Sequence, residues 1–434
     1  MTTTRRTLIG AGLAGGAAAA LAACTDDEPA PADRPTPQTG AAGASPSAEV
    51  PVLDPQDWGS VQAQFLLDPS KAQFAAFVLS PHTHVLDAAI TGYRDELGTD
   101  TEAALVTDLE RENATRTAAA AYHGGTAGQY ALTDSTTMGL GLMYGGLSLG
   151  PGDEVLTTQH DFYSTEASLQ LLRQRTGATI RQVKLYEDPA QATVDEMVGR
   201  LAAGITDRTK VVAITWVHSS TGVRVPVQEI CDALAAMSRV PRSQYVVCVD
   251  GVHGFSAVDV DLQDLGCDFL SAGTHKWLFG PRGTGILWGR SFEPLTEVIP
   301  TFSGPGSPAG RLTPGGYHSF EHRWALADAF GFMSSIGRDR LVARTVEQAT
   351  QLKEGLAALP NVILKTPLDP ALSAGIVCFS VDGYTNPPDA VAKLRDAGIV
   401  GSSTPYRTSY VRLGPSIATN PDQVDAAIEA VSAL

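Results

Sequence analysis

Uninterrupted apolar runs constrain the fold of this chain most strongly, because they predict strands that are buried on both faces. The clearest run covers residues 211–216, and residues 245–249 have the same character. Such runs are typical of parallel sheets covered by helices on both sides, whereas a sheet with one wet face alternates apolar and polar residues. Amphipathic segments lie between successive runs, as the connections of a parallel sheet require. The sequence therefore predicts an α/β fold with a mostly parallel sheet.

The predicted elements divide the chain into a large domain and a small C-terminal α/β domain. Strands are predicted at 130–133, 154–158, 179–185, 211–216, 245–249, 375–380 and 409–413. Helices are predicted at 85–97, 101–121, 136–147, 164–175, 227–238, 324–336, 338–359, 388–397 and 421–433. In the last third, a long helix is followed by strand, helix, strand and helix. We therefore place an N-terminal segment and the large domain at 53–320, and a connector helix with the small domain at 321–434.

The composition limits the partners and sites of this chain. With 434 residues, the chain is long enough for both domains, and its formal net charge is −16. This charge disfavours binding to a polyanion, so we expect no nucleic-acid partner. The five cysteines have no close spacing that would indicate a metal site or a disulfide framework.

The N-terminus has the pattern of an export signal. Arg5 and Arg6 precede an apolar run that reaches Ala23, which resembles a twin-arginine (Tat) signal at residues 1–24. The end of this run also resembles a lipobox, in which Cys24 would be lipidated; the alternative is a plain signal peptide with a chance cysteine. Residues 25–52 are rich in proline, alanine and small polar residues, which predicts a disordered linker. We expect export by the Tat route, with anchoring to the outer face of the cytoplasmic membrane or release into the periplasm or medium. Membrane contact would occur only through this N-terminus.

One lysine and one aspartate carry the strongest chemical signal. Lys276 lies in a glycine-flanked turn after the strand-like residues 269–270, within the motif at 271–285, and Asp250 ends the apolar run at 245–249. A lysine amine can form a Schiff base with an aldehyde cofactor, and a carboxylate can keep a ring nitrogen protonated. The pair indicates pyridoxal 5'-phosphate (PLP) chemistry. The alternatives are an ordinary loop lysine and a turn aspartate.

Residues 245–290 resemble the cofactor-binding core of the class V aminotransferase family of PLP-dependent enzymes. The elements Asp-x-x-His, His-Lys-Trp and Gly-Pro-x-Gly-x-Gly occur there in order, and the likeness extends over most of residues 60–434. By general resemblance we place the chain near the isopenicillin-N-epimerase-like branch. The resemblance implies the PLP-dependent transferase fold, which is aspartate aminotransferase-like, and a homodimer with active sites near the interface.

The resemblance also implies roles for residues near Lys276. Lys276 would carry the cofactor and then act as the general base at the substrate α-carbon, and Asp250 would pair with the pyridine nitrogen. His253 would lie beside the phenolic oxygen, with packing as its alternative role. The phosphate would lie at the N-terminus of the helix 136–147, where hydroxyl and N–H groups favour an anion. The residues implied there are Ser135, Thr136 and Thr137, with Thr274 and His275 completing the cup. Simple N-capping by Ser135 is the alternative.

Further residues are implied around the ring and the substrate. His160 would stack on the pyridine ring, with Phe162 and Tyr163 as rivals, and Ser219 or Ser220 stands where relatives carry an asparagine near the phenolic oxygen. Arg412 would bind the substrate α-carboxylate, because a guanidinium matches a carboxylate with two parallel hydrogen bonds. Arg407 and Arg323 are secondary candidates, and a surface salt bridge is the alternative role.

Several functions are compatible with these residues. The leading interpretation is an enzyme acting on an amino acid or amine, as an aminotransferase or an epimerase; a PLP-dependent C–S (β-elimination) lyase is the second. Residues 401–406 contain no cysteine where cysteine desulfurases carry a nucleophilic thiol, which disfavours a persulfide mechanism. A non-catalytic, lipid-anchored binding protein that keeps the fold is the alternative from another class. Substrate choice would depend on loops and on the segment around residues 77–84.

Overall fold

The computed structural model describes residues 50–238, 240–301 and 306–434, and strands alternate with helices there as predicted. The predicted signal at 1–24, including Cys24, and nearly all of the predicted linker at 25–52 lie outside the described residues. Among the helices of the described ranges, none has both the length and the apolar character needed to cross a bilayer.

The helices and strands are numbered here in chain order. The α-helices are α1 (Trp58–Gln62), α2 (His84–Thr99), α3 (Thr101–Val106), α4 (Asp108–His123), α5 (Thr136–Gly146), α6 (Tyr163–Thr176), α7 (Val194–Gly204), α8 (Val227–Ala235), α9 (Pro308–Arg311), α10 (Phe320–Ile336), α11 (Arg338–Ala357), α12 (Pro387–Asp396) and α13 (Pro421–Ser432). The strands are β1 (Ala72–Gln73), β2 (Tyr130–Thr133), β3 (Glu154–Thr158), β4 (Thr179–Val183), β5 (Thr209–Thr215), β6 (Val246–Asp250), β7 (Phe269–Gly273), β8 (Gly285–Gly289), β9 (Val362–Leu364), β10 (Val377–Val381), β11 (Ile399–Val400), β12 (Ser402–Ser403) and β13 (Val411–Leu413).

Seven strands form the main sheet, in the order β2-β8-β7-β6-β5-β3-β4. β8 is antiparallel to both of its neighbours, and the other neighbouring pairs are parallel. The order reverses at β3, because β4 lies on one side of it and β5 on the other. Such a reversal opens a crevice at the carboxyl ends of the strands, which is where ligands bind in open α/β sheets.

The central strand β5 is buried on both faces, as its apolar run predicts. Val211 and Ala213 pack into one hydrophobic cluster, whereas Val212 and Ile214 pack into the cluster on the opposite face. All four side chains are fully buried. The prediction of a mostly parallel sheet covered on both sides is therefore confirmed.

A second sheet of four antiparallel strands, β12-β13-β10-β9, lies in the C-terminal third. Helices α11, α12 and α13 pack with it in a separate hydrophobic cluster. The N-terminal segment joins this part of the molecule, because β1 pairs in parallel with β11. Since β1 has only two residues, no apolar pattern in the sequence predicts that pairing.

One helical segment differs from its predicted form. The helix predicted at 101–121 is divided at Thr107, whose hydroxyl donates a hydrogen bond to the carbonyl oxygen of Ala104 at 2.8 Å. A side chain that bonds to the preceding turn in this way competes with regular helix bonding.

Helix α10, which the predicted boundary assigns to the C-terminal part of the chain, packs on α2 and α4, and its apolar residues belong to the hydrophobic cluster of the large sheet. The boundary at 320/321 stays a prediction.

Candidate active site

A cavity of about 210 Å³ lies at the carboxyl ends of β3, β5, β6 and β7. It brings together most of the predicted site residues, namely Ser135, Thr136, Thr137, Ser219, Asp250, His253, His275, Lys276 and Arg412. Eight further residues line it: Phe77, Val78, Phe162, Ser164, Thr215, Val217, Val252 and Pro405. Asp250 ends β6, which lies between β7 and β5 in the sheet. Lys276 follows β7 and Ser219 follows β5, so these two residues flank Asp250.

Lys276 lies in a tight turn directly after β7. The N–H of Phe279 donates to the carbonyl oxygen of Lys276 at 3.1 Å, and the N–H of Gly280 donates to that of Thr274 at 2.8 Å. Burial lowers the pKa of Lys276 to about 8, with the Arg412 charge acting in the same direction and Asp250 opposing both. The neutral, nucleophilic form of the amine is therefore much more populated near neutral pH than in an ordinary lysine, although the protonated form still predominates there.

Asp250 is the last residue of β6 and is 1 % exposed. One carboxylate oxygen accepts a hydrogen bond from the N–H of Val252 at 3.2 Å, and the other accepts one from the hydroxyl of Thr165 at 3.0 Å. Burial raises the pKa of Asp250 to about 6, although both hydrogen bonds and the charge of Lys276 oppose the shift. The carboxylate is thus mostly ionised at neutral pH. Its negative charge is poorly compensated, because no cationic side chain among the described residues lies within salt-bridge distance of it.

His253 follows Asp250 in the turn after β6. The indole N–H of Trp277 donates to His253 Nδ1 at 3.3 Å, so the remaining ring nitrogen, Nε2, carries the hydrogen of the neutral imidazole. Burial lowers the pKa of His253 well below its usual value. The ring is therefore a neutral hydrogen-bond donor in the wall of the cavity.

The N-terminus of α5 forms another wall. Ser135 caps the helix, since its hydroxyl accepts a hydrogen bond from the N–H of Met138 at 3.1 Å. The Thr136 hydroxyl accepts one from the N–H of Gly273 at 2.7 Å, which ties α5 to β7. Gly139 allows this close packing, because a Cβ atom there would lie 2.0 Å from the Ser271 hydroxyl oxygen. The first-turn N–H groups and the hydroxyls of Thr136 and Thr137 can receive an anion.

The two predicted residues before Lys276 face different surroundings. His275 lines the cavity and donates from Nδ1 to the Thr284 carbonyl oxygen at 3.1 Å. The Thr274 side chain instead pairs with the Thr284 hydroxyl and is fully buried. Thr274 therefore supports the lysine turn and does not belong to the cavity wall, which differs from the predicted phosphate cup.

Arg412 extends from β13 into the cavity and is 7 % exposed. Its guanidinium donates to the Ser219 carbonyl oxygen at 3.2 Å, to the Ser403 carbonyl oxygen at 3.1 Å and to the Ser402 hydroxyl at 3.2 Å. The Phe77 ring lies against it, 5.1 Å from the guanidinium carbon. Among the described residues Arg412 has no carboxylate partner, so its charge can be matched by an anion in the cavity.

Ser219 connects the two sheets at this site. Its carbonyl oxygen accepts from Arg412, and its hydroxyl lies 2.6 Å from the hydroxyl of Tyr406. Tyr406 lies in the loop between β12 and β13, and its ring contacts the edge of Phe162 at a centroid distance of 6.0 Å. The adjacent Ser220 does not line the cavity.

The ring of His160 does not line the cavity. It stacks on Tyr186 with centroids 4.1 Å apart, and burial lowers its pKa to about 4. The next residue fixes this loop, because the Asp161 carboxylate accepts hydrogen bonds from the hydroxyls of Thr158 and Thr215 at 3.0 and 2.7 Å. The ring that reaches the cavity is that of Phe162. Phe162 can therefore contact a ring bound in the cavity, and Tyr163 is 62 % exposed. The stacking role of His160 stays a prediction.

The two secondary arginines lie outside the cavity. Arg323 is buried and pairs with Glu112 at 2.9 Å and with Asp134 at 3.3 Å, at the start of α10. Its charge is already compensated, so the predicted role in substrate binding is not supported. Arg407 lies in the same loop as Tyr406 but is exposed and does not line the cavity. Of the three arginines, only Arg412 reaches the cavity.

Several contacts of the site have no signal in the sequence. Thr165 bonds to Asp250 from the first turn of α6, and Phe77 packs on Arg412 from the N-terminal segment. Tyr406 and Thr165 belong to no motif, and tertiary packing alone brings them to the site. The segment around Phe77 was expected to affect substrate choice, and the structure places Phe77 and Val78 in the cavity wall.

The uncompensated charges of the cavity fit PLP. The buried Asp250 carboxylate can pair with a protonated ring nitrogen, and the N-terminus of α5 can hold a phosphate. Lys276 supplies an amine for covalent attachment to the aldehyde. Phe162 lines the same cavity as Lys276, so an aromatic side chain is available to contact the cofactor ring. The donor set and the charges thus agree with the cofactor that the sequence predicts.

The chain is similar to known proteins over most of its length. The model of the family Aminotransferase class-V matches residues 84–405. The chain is 26% identical over 408 residues to isopenicillin N epimerase of Streptomyces clavuligerus, which covers 87% of this chain and 98% of that protein. It is 29% identical over 290 residues to a probable cysteine desulfurase of Halalkalibacterium halodurans, covering 63% of this chain and 67% of that protein.

Solved structures share the fold. A mutant of C-DES with glycine covalently linked to its PLP cofactor superposes with a TM-score of 0.79 at 20% identity, covering 86% of this chain and 98% of that one. The cysteine desulfurase from Thermococcus onnurineus NA1 gives a TM-score of 0.74 at 20% identity, covering 86% and 97%. The predicted PLP-dependent transferase fold is therefore confirmed. Because the family model matches well over half of its residues, the chain belongs to the class V aminotransferase family of PLP-dependent enzymes.

Proposed function

We propose that this enzyme acts on a free α-amino acid by transamination or epimerisation. The observation that carries the proposal is the placement of Arg412, Lys276 and Asp250 on one cavity, each without an ion-pair partner among the described residues. Lys276 and Asp250 match the aldehyde and the ring nitrogen of the cofactor, and Arg412 has no partner in the cofactor. A buried guanidinium that is held rigid and uncompensated is suited to the carboxylate of a substrate.

The residues of the large sheet would hold PLP. Asp250 would keep the ring nitrogen protonated, while Ser135, Thr136 and Thr137 would bind the phosphate at the N-terminus of α5. His275, whose ring also lines this wall, would complete the phosphate site. His253 and Ser219 would lie beside the phenolic oxygen as neutral hydrogen-bonding groups.

Lys276 would move the proton of the substrate. When bound, PLP supplies an electron-withdrawing ring that weakens the bonds at the substrate α-carbon. With a pKa of about 8, the amine of Lys276 can take the α-proton at neutral pH and return it. Arg412 would orient the substrate by its carboxylate, so that the α-carbon lies within reach of Lys276.

Cleavage of a C–S bond is the second candidate. It would begin with the same proton transfer and would need no new residue if the thiol leaves directly. Sulfur transfer to a protein cysteine has less support, because Cys231, Cys248, Cys267 and Cys378 are all buried and none of them lines the cavity. Burial also raises the pKa of each of these thiols, which disfavours the reactive thiolate.

The reaction can be identified by incubating the PLP-loaded protein with single amino acids in D₂O. Proton NMR measures exchange of the α-hydrogen, and chromatography identifies the products. Appearance of the opposite enantiomer indicates epimerisation, and a keto acid formed with an amino acceptor indicates transamination. Release of sulfide from cysteine or cystine indicates lysis. No exchange with any amino acid, while PLP is bound to Lys276, would contradict the proposed function; Lys276→Ala is the control for uncatalysed exchange.

We further propose a homodimer, on the basis of family membership and an exposed apolar surface. Val106 and Leu109 on α3 and α4 are 81 % and 63 % exposed, and Tyr317 near the start of α10 is 77 % exposed. Leu109 and Tyr317 also line one surface pocket, and grouped exposed apolar side chains are typical of interaction sites. Light scattering coupled to size-exclusion chromatography measures the mass. A mass near 45 kDa at micromolar concentration would contradict the dimer, since that is the mass of one chain.

Export and lipid anchoring are proposed from residues 1–24 alone. Fractionation of cells that express the full chain measures the location of the mature protein. We expect it outside the cytoplasm in the wild type, and retained inside when Arg5 and Arg6 are both replaced by lysine. Cys24→Ser would release it from the membrane if Cys24 carries the lipid, whereas unchanged membrane association would contradict lipidation.

A further inference from the structure

The walls of the cavity have two origins, and they differ in character. The wall at the end of the large sheet is rich in hydroxyls and carries Asp250 and Lys276. A second, adjoining wall is built from the N-terminal segment, from the loop between β12 and β13 and from β13 itself. It consists of Phe77, Val78 and Pro405 around Arg412. On the proposed function, the first wall holds the cofactor and the second meets the substrate.

The apolar residues of the second wall lie directly beside the carboxylate anchor. Phe77 is 1 % exposed, and its ring touches the guanidinium of Arg412. The ring is fixed, because it also stacks on Trp277 with centroids 6.1 Å apart. In an α-amino acid, the side chain begins two bonds from the carboxylate carbon. A substrate held by Arg412 therefore places the start of its side chain near Phe77.

The described residues of this chain that line the cavity provide no formal charge for the substrate side chain. Among the described lining residues, the formally charged ones are Asp250, Lys276 and Arg412, and each already has a partner in the cofactor or the substrate carboxylate. An acidic or basic side chain packed against the buried Phe77 ring would lose hydration without gaining a counter-ion from the described residues of this chain. Such desolvation is costly, whereas burial of an apolar side chain is favourable.

We propose that the enzyme selects α-amino acids with uncharged, apolar side chains, and that Val78 is a residue that determines this specificity. Val78 is 47 % exposed and lines the cavity beside the buried Phe77, so it forms the outer edge of the apolar surface that a substrate side chain would contact. The inference rests on the proposed function, because Arg412 must first orient the substrate.

The test compares methionine with glutamate, which have side chains of similar length but different charge. The PLP-loaded full chain is titrated with each amino acid, and Kd is measured by calorimetry and by the change in the absorbance of the bound cofactor. We expect methionine to bind at least tenfold more tightly than glutamate. If both bind with Kd values within threefold, or glutamate binds more tightly, the selectivity is overturned while the proposed function stands. If neither these nor other α-amino acids bind, both are overturned.

Val78→Lys tests the residue itself, because it adds a cation at the outer edge of this apolar surface without disturbing a buried position. We expect the ratio of glutamate to methionine affinity to rise at least tenfold. Leu79→Lys is the matched control, since Leu79 is the next residue, is 49 % exposed and does not line the cavity; the ratio should change less than twofold. Equal changes in the two variants would overturn the assignment of Val78.

Discussion

The hydroxyl of Thr165 donates a hydrogen bond to Asp250 Oδ2 at 3.0 Å, linking the first turn of α6 to the end of β6. The second carboxylate oxygen is held by the N–H of Val252. These two bonds fix the plane of a carboxylate that is buried and has no cation within salt-bridge distance among the described residues. Asp250 is therefore held in one orientation before any ligand enters, which reduces the cost of pairing it with a ring nitrogen.

Replacement of Thr165 by valine tests this arrangement. The variant keeps the shape of the side chain but removes one donor to a charged acceptor, an interaction worth about 1.5–3 kcal/mol. We expect the pKa of Asp250 to rise further above about 6 and the affinity for PLP to fall roughly tenfold. Fluorescence titration of the cofactor-free protein measures this affinity. Thr165→Ser, which restores the hydroxyl, should recover most of it; equal affinities for the valine and serine variants would contradict the role of the hydrogen bond.

Because burial lowers the pKa of Lys276, the rate at which PLP attaches to the protein should depend on pH in a predictable direction. A lysine that is protonated below its pKa and neutral above it attacks an aldehyde only in the neutral form. The rate of PLP attachment to the cofactor-free protein should therefore rise with pH and level off above about 8. Stopped-flow absorbance measures the rate. A rate that keeps rising to pH 10 would indicate an ordinary lysine pKa and would contradict the effect of burial.

The elements around the lysine could be predicted because short motifs determine them locally. Lys276, Asp250 and the N-terminus of α5 each lie next to a strand with a clear apolar run, so the sheet itself brings them together. His160 shows the limit of this reasoning. The strand pattern places His160 directly after β3, but the direction of its ring depends on tertiary contacts such as its stacking on Tyr186. The orientation of a side chain in a loop depends on such tertiary contacts, and the pattern of apolar and polar residues in the sequence does not predict them.

Arg412 and Arg407 form a matched pair for testing carboxylate binding. Both come from the same C-terminal region, but only Arg412 is buried in the cavity wall. Arg412→Gln should weaken amino-acid binding by about 100-fold, because a buried charge-assisted pair is worth roughly 2–5 kcal/mol. It should leave the affinity for PLP within about threefold. Calorimetric titration measures both. Similar losses in Arg407→Gln and Arg412→Gln would contradict the assignment of the carboxylate anchor.

Arg323 should act on stability rather than on substrate binding. Its side chain is buried and paired with Glu112, which also pairs with Arg116 at 2.8 Å. Arg323→Met leaves Glu112 with one cation fewer, and we expect the free energy of unfolding to fall by about 2–4 kcal/mol. Urea unfolding measures the change. Arg200→Met, which removes an exposed arginine from ion pairs with Glu187 and Glu196, should cost less than about 1 kcal/mol. A loss for Arg323→Met no larger than for Arg200→Met would contradict this structural role.

The most direct test of the whole account locates the cofactor on the chain. The full-length protein is loaded with PLP, treated with borohydride to fix the covalent bond, digested and examined by mass spectrometry. We expect the added mass on the peptide that contains Lys276, and no stable labelling in Lys276→Ala. Labelling of another lysine, or none at all in the wild type, would contradict the assignment of this cavity as the active site.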